Sequence, residues 1–192
     1  MYKSIPTYKD GLWSETHFEE KNDWVSYLLT LFKEPGQYEF DDTALLFNEQ
    51  AVIFNKQGFY CDKPFRSKDF NKYWEDQKFK CKEGVLYHGK KNVFYLTRDY
   101  YMWLNFLPIF DKEEKKYGFA KVRDAQYHMA LYEVLAEEHN KHVAILKKRQ
   151  IASSYFHMAK LINQFWFEEG SICKIGASLK DYINDKGSWK FL

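Results

Sequence analysis

The 192-residue chain sets 29 Lys and Arg against 27 Asp and Glu, a formal charge of +2, and is 45% hydrophobic and 20% aromatic. That supplies one domain with a real core and excludes disorder over the whole length, a strong single-sign field and a typical multi-domain enzyme. Cys61, Cys81 and Cys173 are far apart and lack a CxxC pattern, which points to reduced thiols in an intracellular protein, and no apolar run reaches signal-peptide or membrane-spanning length, so no membrane partner is expected.

Residues 1–83 read as a mostly helical arm, a lid or contact region. The segment 23–33, DWVSYLLTLFK, places Trp24, Leu28, Leu31 and Phe32 near one helical face, and Glu34-Pro35-Gly36 stops it. The apolar runs at 44–47 and 51–54 fit either two short helices or a hairpin. After Pro64, the mixed run RSKDFNKYWEDQKFK predicts a short polar helix carrying Phe70 and Trp74, bounded by a turn at 81–84.

From Gly84 the pattern sharpens. Residues 85–87 and 93–96 predict a hairpin with its turn through 89–92. RDYYMWLNFLPIF follows as an aromatic helix ended at Pro108, and a polar turn over 111–118 leads to a long helix from 122 to about 140. In that helix Asp124 is an early acidic residue, and Tyr127, Leu131, Val134 and Leu135 form the buried stripe. HVAIL at 142–146 has the length of a central strand; a helix over YFHMAKLINQFWF, a strand at 171–177 and a helix from about 178 complete the pattern. Helix, strand, basic loop, helix, strand, helix is the order expected of a parallel α/β sheet.

The loop between 142–146 and the next helix concentrates the chemistry. Lys147, Lys148 and Arg149 stand at the end of the expected strand, and Ser153 and Ser154 open the helix. A helix N-terminus exposes unpaired N–H groups and partial positive charge, so phosphate binds there. The common phosphate loop GxxxxGK[ST] is not matched: aligned on Ser154, Ser153 takes the lysine slot, Ala152 the second glycine and Lys147 the first. A Cβ at Ala152 costs about 1–2 kcal/mol if the turn needs a left-handed backbone there. A helix start with solvated cations and serine caps explains the same residues without a ligand.

Two segments together carry a resemblance to a known family. Lys147, Arg149, Gln150 and Ser154 fit a deviant phosphate loop, K-x-R-Q/R-x-G-x-S, and YLTRDYYMWLNFLPI at 95–109 stands upstream of it. From 84 to about 181 the chain resembles the start of the ATPase domain of tailed-phage large terminases, the motors that pump DNA into proheads. The resemblance implies the first part of a P-loop (RecA-like) NTPase over 84–192, apparently incomplete. It implies ATP and magnesium as ligands: Lys147 or Arg149 on the β and γ phosphates, Lys148 beside them, Gln150, Ala152 and Ser153 lining the loop, and Ser154 on the metal. Tyr100, Tyr101 and Trp103 would lie near the adenine or brace the loop. Implied partners are the portal protein, the small terminase subunit, further copies of the chain and double-stranded DNA, in the cytoplasm of an infected bacterium and transiently at the prohead portal.

Such an ATPase also needs acidic residues at the end of a later strand to hold magnesium and to polarise water. No apolar run ending in acids follows Ser154, so no catalytic residue is assigned and the chain alone is expected not to turn ATP over. The rival expectation is a non-catalytic interaction or scaffold module that keeps a degenerate P-loop fold. His128, His139, His142 and His157 share no metal-ligand spacing. Lys56, Lys63, Arg66, Lys68, Lys72, Lys78, Lys80 and Lys82 alternate with Phe65, Phe70, Tyr73, Trp74 and Phe79, a pattern that suits subunit contact somewhat better than DNA because Glu75, Asp76 and Glu83 dilute it.

Overall fold

The computed structural model describes residues 1–111, 115–147 and 152–174. Asp10 and Gly11 both adopt positive φ, 50° and 84°, the tight turn that an Asp-Gly pair favours. It joins β1 (Lys3–Lys9) to β2 (Leu12–Phe18) in an antiparallel hairpin that pairs Tyr8 with Trp13. On its other side β1 pairs in parallel with β3 (Val85–His88), which forms the expected hairpin with β4 (Val93–Leu96). The sheet order is β2-β1-β3-β4. Pro6 sits inside β1 without harm because the pairing to β3 starts only at Thr7, so its missing N–H is not needed on that side.

Two expectations change. The first 83 residues are not a separate helical arm: beside their helices they supply β1 and β2, and the sheet runs across residue 84. Nor is the sheet a parallel one, since one of its three pairings is parallel and two are antiparallel. What stands is a mixed α/β fold with a four-stranded sheet.

The helices follow from their caps and apolar spacing. α1 (Lys21–Thr30) starts on a reciprocal Glu20–Asp23 capping box and buries Trp24 and Leu28. The ambiguous runs at 44–47 and 51–54 are helical: a 3-10 turn (Asp42–Leu46) on the Asp41 cap, then α2 (Glu49–Gln57), closed by Gly58 at φ 81°. α3 (Lys68–Glu83) starts on the Ser67 cap and continues through the expected turn at 81–84 to Gly84. α4 (Arg98–Phe106) starts on Thr97 and ends before Pro108; a small hairpin, β5 (Ile109–Asp111) and β6 (Lys116–Gly118), occupies the stretch expected as a turn. In α5 (Asp124–Glu138), Tyr127, Leu131 and Val134 are buried as predicted. The Asp124 carboxylate accepts from the Gly36 and Tyr38 amides at 2.5 and 3.0 Å, tying the loop after α1 to the start of α5. α6 (Ser153–Phe167) is the expected helix after the basic loop.

The core is aromatic. Trp24 meets Tyr95 edge-to-face at 5.0 Å, and its indole N–H donates to Glu138 at 2.7 Å. The buried Tyr127 hydroxyl accepts from the Tyr95 amide at 3.0 Å, so a polar group reaches the core already paired.

The predicted strand at 142–146 does not form. Residues 142–146 are irregular, with Ile145 and Leu146 exposed. Composition favours extended backbone, but a strand exists only where a neighbour supplies its ladder, and these residues join neither sheet. Residues 171–174, expected to begin another strand, are likewise irregular. The remainder of that strand, at 175–177, and the helix from 178 lie outside the described residues.

Candidate functional site

α6 starts directly after a left-handed residue. Ala152, in the slot of the second phosphate-loop glycine, is left-handed at φ 54°, ψ 21°, and its carbonyl accepts the first helical bond, from the Phe156 amide, at 3.1 Å. Among the described residues no side chain caps this N-terminus. The two serines separate. Ser154 is exposed in the first turn, whereas Ser153 is buried with its hydroxyl 3.2 Å from His157 Nδ1. Ser154 is therefore free to meet a phosphate or a cation, and Ser153 is engaged inward. Lys147 is exposed just before the loop; Lys148, Arg149 and Gln150 lie outside the described residues.

Tyr100, Tyr101 and Trp103 are at most 2% exposed, which removes them as an open adenine platform. Tyr100 and Trp103 instead brace α6, with Phe156 at ring distances of 5.8 and 5.6 Å. Tyr101 faces elsewhere and donates its hydroxyl to Gln77 of α3 at 2.6 Å. The helix bearing these residues has every apolar and aromatic side chain from Tyr100 to Leu104 in the core, so burial and ligand contact compete for the same rings.

An ionic lattice that the sequence pattern does not announce holds α6 to α4 and α5. Glu133 of α5 receives His157 Nε2 and Lys160 Nζ, both at 2.8 Å, and Lys160 also reaches Glu137 at 2.5 Å. Arg98 of α4 spans Glu137 at 3.5 Å and Glu168 at 2.5 Å. Asn163 donates to the buried Asp99 at 2.8 Å. The available signal is the polar row His157, Lys160, Asn163 at helical spacing, but its partners lie on other helices and no local rule finds them.

These contacts fix charge states. Burial alone would raise the Glu133 carboxyl, but the His157 hydrogen bond and the Lys160 ammonium outweigh it and hold the group below the usual carboxylate range. The hydrogen bond to Glu133 raises His157 against the opposing effect of burial. Geometry agrees: His157 Nε2 faces that carboxylate, and Nδ1 lies 2.6 Å from the Ser153 carbonyl, so two acceptors call for an imidazolium. Burial pushes the Asp99 carboxyl up to about 6, with Arg98 and Asn163 pulling only partly the other way.

Beside this lattice a cleft of about 440 Å³ opens between α5, α6 and the segment 141–145, lined in part by Lys141, His142, Lys160 and Lys174. Among the described residues there is no group of three or more metal-ligating side chains. His128 Nδ1 lies 3.0 Å from the Tyr38 hydroxyl, and His139 and His142 are exposed. In residues 56–82 the cations Lys56, Lys63, Arg66, Lys68, Lys72, Lys78 and the neighbouring Lys82 are exposed, but Lys80 is buried. No protein-family model, curated protein or solved structure matches the chain.

Proposed function

We propose that the chain is the ATP-binding N-terminal portion of a viral DNA-packaging motor of the large-terminase kind. The observation that carries the reading is the conformation of Ala152: a left-handed residue in the glycine slot turns the chain from the cationic loop into an uncapped helix N-terminus, with Ser154 exposed in its first turn. The spacing of Lys147, Arg149, Gln150 and Ser154 and the upstream YLTRDYYMWLNFLPI segment support it from the sequence. ATP would place its phosphates against the first free amides of α6, with Lys147 or Arg149 on the β and γ groups and Ser154 on magnesium. Tyr100 and Trp103 serve by fixing the axis of α6 through Phe156. In such a motor water would attack the γ-phosphate in line, and the loop cations would offset the developing charge. The partners would be the portal protein, the small terminase subunit, further copies of the chain and double-stranded DNA, with the exposed cations between 56 and 82 on the contact surface, in the cytoplasm of an infected bacterium. No helix among the described residues is long and apolar enough to cross a membrane.

The test is magnesium-dependent affinity for a fluorescent ATP analogue, with Lys147→Ala, Arg149→Ala and Ser154→Ala beside the native chain. Saturable binding that weakens about tenfold in a variant corresponds to about 1.4 kcal/mol at the phosphates and is the expected result. A folded chain that does not bind would transfer the reading to a scaffold module that keeps the loop without its ligand.

A further inference from the structure

The basic, aromatic α3 contains one cation that does not behave like the rest. Lys80 is 8% exposed, and among the described residues its ammonium makes no ion pair; what remains open of it faces the cleft that it lines. What it does meet is the indole of Trp13 on β2, 3.5 Å from the ring centre. A cation–π contact offsets only part of what an ammonium loses when most of its hydration is taken away. Glu49 and Asp76 act on Lys80 only through space, and burial lowers its proton affinity despite them. A cation that faces a cleft without a carboxylate of its own has capacity for an anion.

The surroundings are a cleft rather than a packed interior. About 680 Å³ opens between the β1–β2 hairpin and α3. Strand alternation brings Trp13, Glu15 and His17 along one wall, and helical spacing brings Lys72, Asp76 and Lys80 along the other, with Phe79 beside them. Trp13 is held from behind by Tyr8 at 5.2 Å and Tyr87 at 6.0 Å, yet is 45% exposed. The rings form a fixed apolar surface next to the charge. Glu15 and Asp76 in the same cleft offset Lys72 and Lys80, so a multiply charged anion gains less there than a single negative charge placed against Lys80.

We propose that this cleft is a carboxylate-binding site, in which the Lys80 ammonium anchors the anion and Trp13 and Phe79 accept an apolar body attached to it. It is separate from the α6 loop and independent of the ATP reading. The carboxylate can belong to a free organic acid or to a glutamate of a docked chain, and the two sources are separable.

Calorimetric titration of the full chain with benzoate, with inorganic phosphate and with the peptide acetyl-Phe-Glu-Phe-amide tests the assignment. Benzoate is expected to bind saturably, and Lys80→Met to weaken it at least about tenfold, while Lys78→Ala, outside the cleft, leaves it unchanged. Trp13→Ala alters a half-exposed side chain and provides a second variant that is expected to weaken binding if Lys80→Met does not fold. Peptide binding at least about tenfold tighter than benzoate assigns the source to a partner chain; benzoate equal or tighter assigns it to a free acid. No saturable binding of either, undiminished binding by a folded Lys80→Met chain, or phosphate binding as tight as benzoate overturns the proposal.

Discussion

Ala152 holds a conformation that costs a residue with a Cβ about 1–2 kcal/mol relative to glycine. Glycine in its place recovers that strain but loses roughly 0.4–1 kcal/mol through the freer unfolded chain. Ala152→Gly is therefore expected to raise stability by about 0.5–1 kcal/mol, read as a shift in the urea midpoint at constant slope. A midpoint that falls would mean that the left-handed turn does not persist in solution. Asp99 is the second informative residue. Asn in its place can still accept from Asn163, so Asp99→Asn removes the charge and keeps the hydrogen bond. The sequence presents Asp99 as an ordinary first-turn acid beside Arg98; its burial comes with Asn163, which only the packing of α6 on α4 brings near.

Gly84 links α3 to β3 at φ 77°, and a Cβ there would lie 2.6 Å from the Leu96 carbonyl oxygen and 2.7 Å from the Tyr95 ring. Left-handed strain and overpacking combine, so Gly84→Ala is expected to cost roughly 2–4 kcal/mol by urea or thermal unfolding; a loss below about 0.5 kcal/mol would contradict the close approach. Elements such as this joint were readable where local rules and tertiary structure agree. α1, α3, α4, α5 and α6 carry apolar spacing, and several have side-chain caps, while β3 and β4 carry dense strand formers. β2 carries no such signal because Leu12, Trp13, Ser14 and Glu15 are all exposed, which erases the alternation; its one clue is the Asp10-Gly11 pair. Residues 142–146 fail in the opposite sense, with strand composition and no pairing strand. Of the candidate site, Lys147 and Ser154 are exposed on either side of the loop that spacing marks, whereas the inward turn of Ser153 and the burial of Tyr100, Tyr101 and Trp103 depend on contacts that spacing does not encode.

Across the whole molecule, the ionic lattice makes stability depend on pH in a defined direction. The raised His157 favours the folded state below its unfolded pKa of about 6.5, and that contribution is lost as pH rises through its folded value. Asp99, raised to about 6, takes up its proton when folded before it does when unfolded, so stability also falls as pH rises from about 4 through 6. The depressed Glu133 acts the other way: its contribution is present above about 4.5 and is lost as pH falls through its folded value. Thermal unfolding should therefore give a higher Tm near pH 5.5 than near pH 8, with a smaller difference in Asp99→Asn. A native Tm that rises steadily from pH 5.5 to 8 would contradict the buried placement of Asp99 and the doubly bonded His157.

The parallel pairing of β1 with β3 matches Thr7 to Leu86, so one of the two inner strands of the sheet is made early in synthesis and completed late. At about 5–20 residues per second, roughly 4–16 s pass between the appearance of the two partners. Throughout that interval β1 and β2 can close only on each other, because their shared turn is local while the second edge of β1 has no neighbour. An isolated hairpin is marginal in water, and its open edge is a template for any other strand. The second edge of β1 thus stays open to mispairing until residues 85–88 arrive.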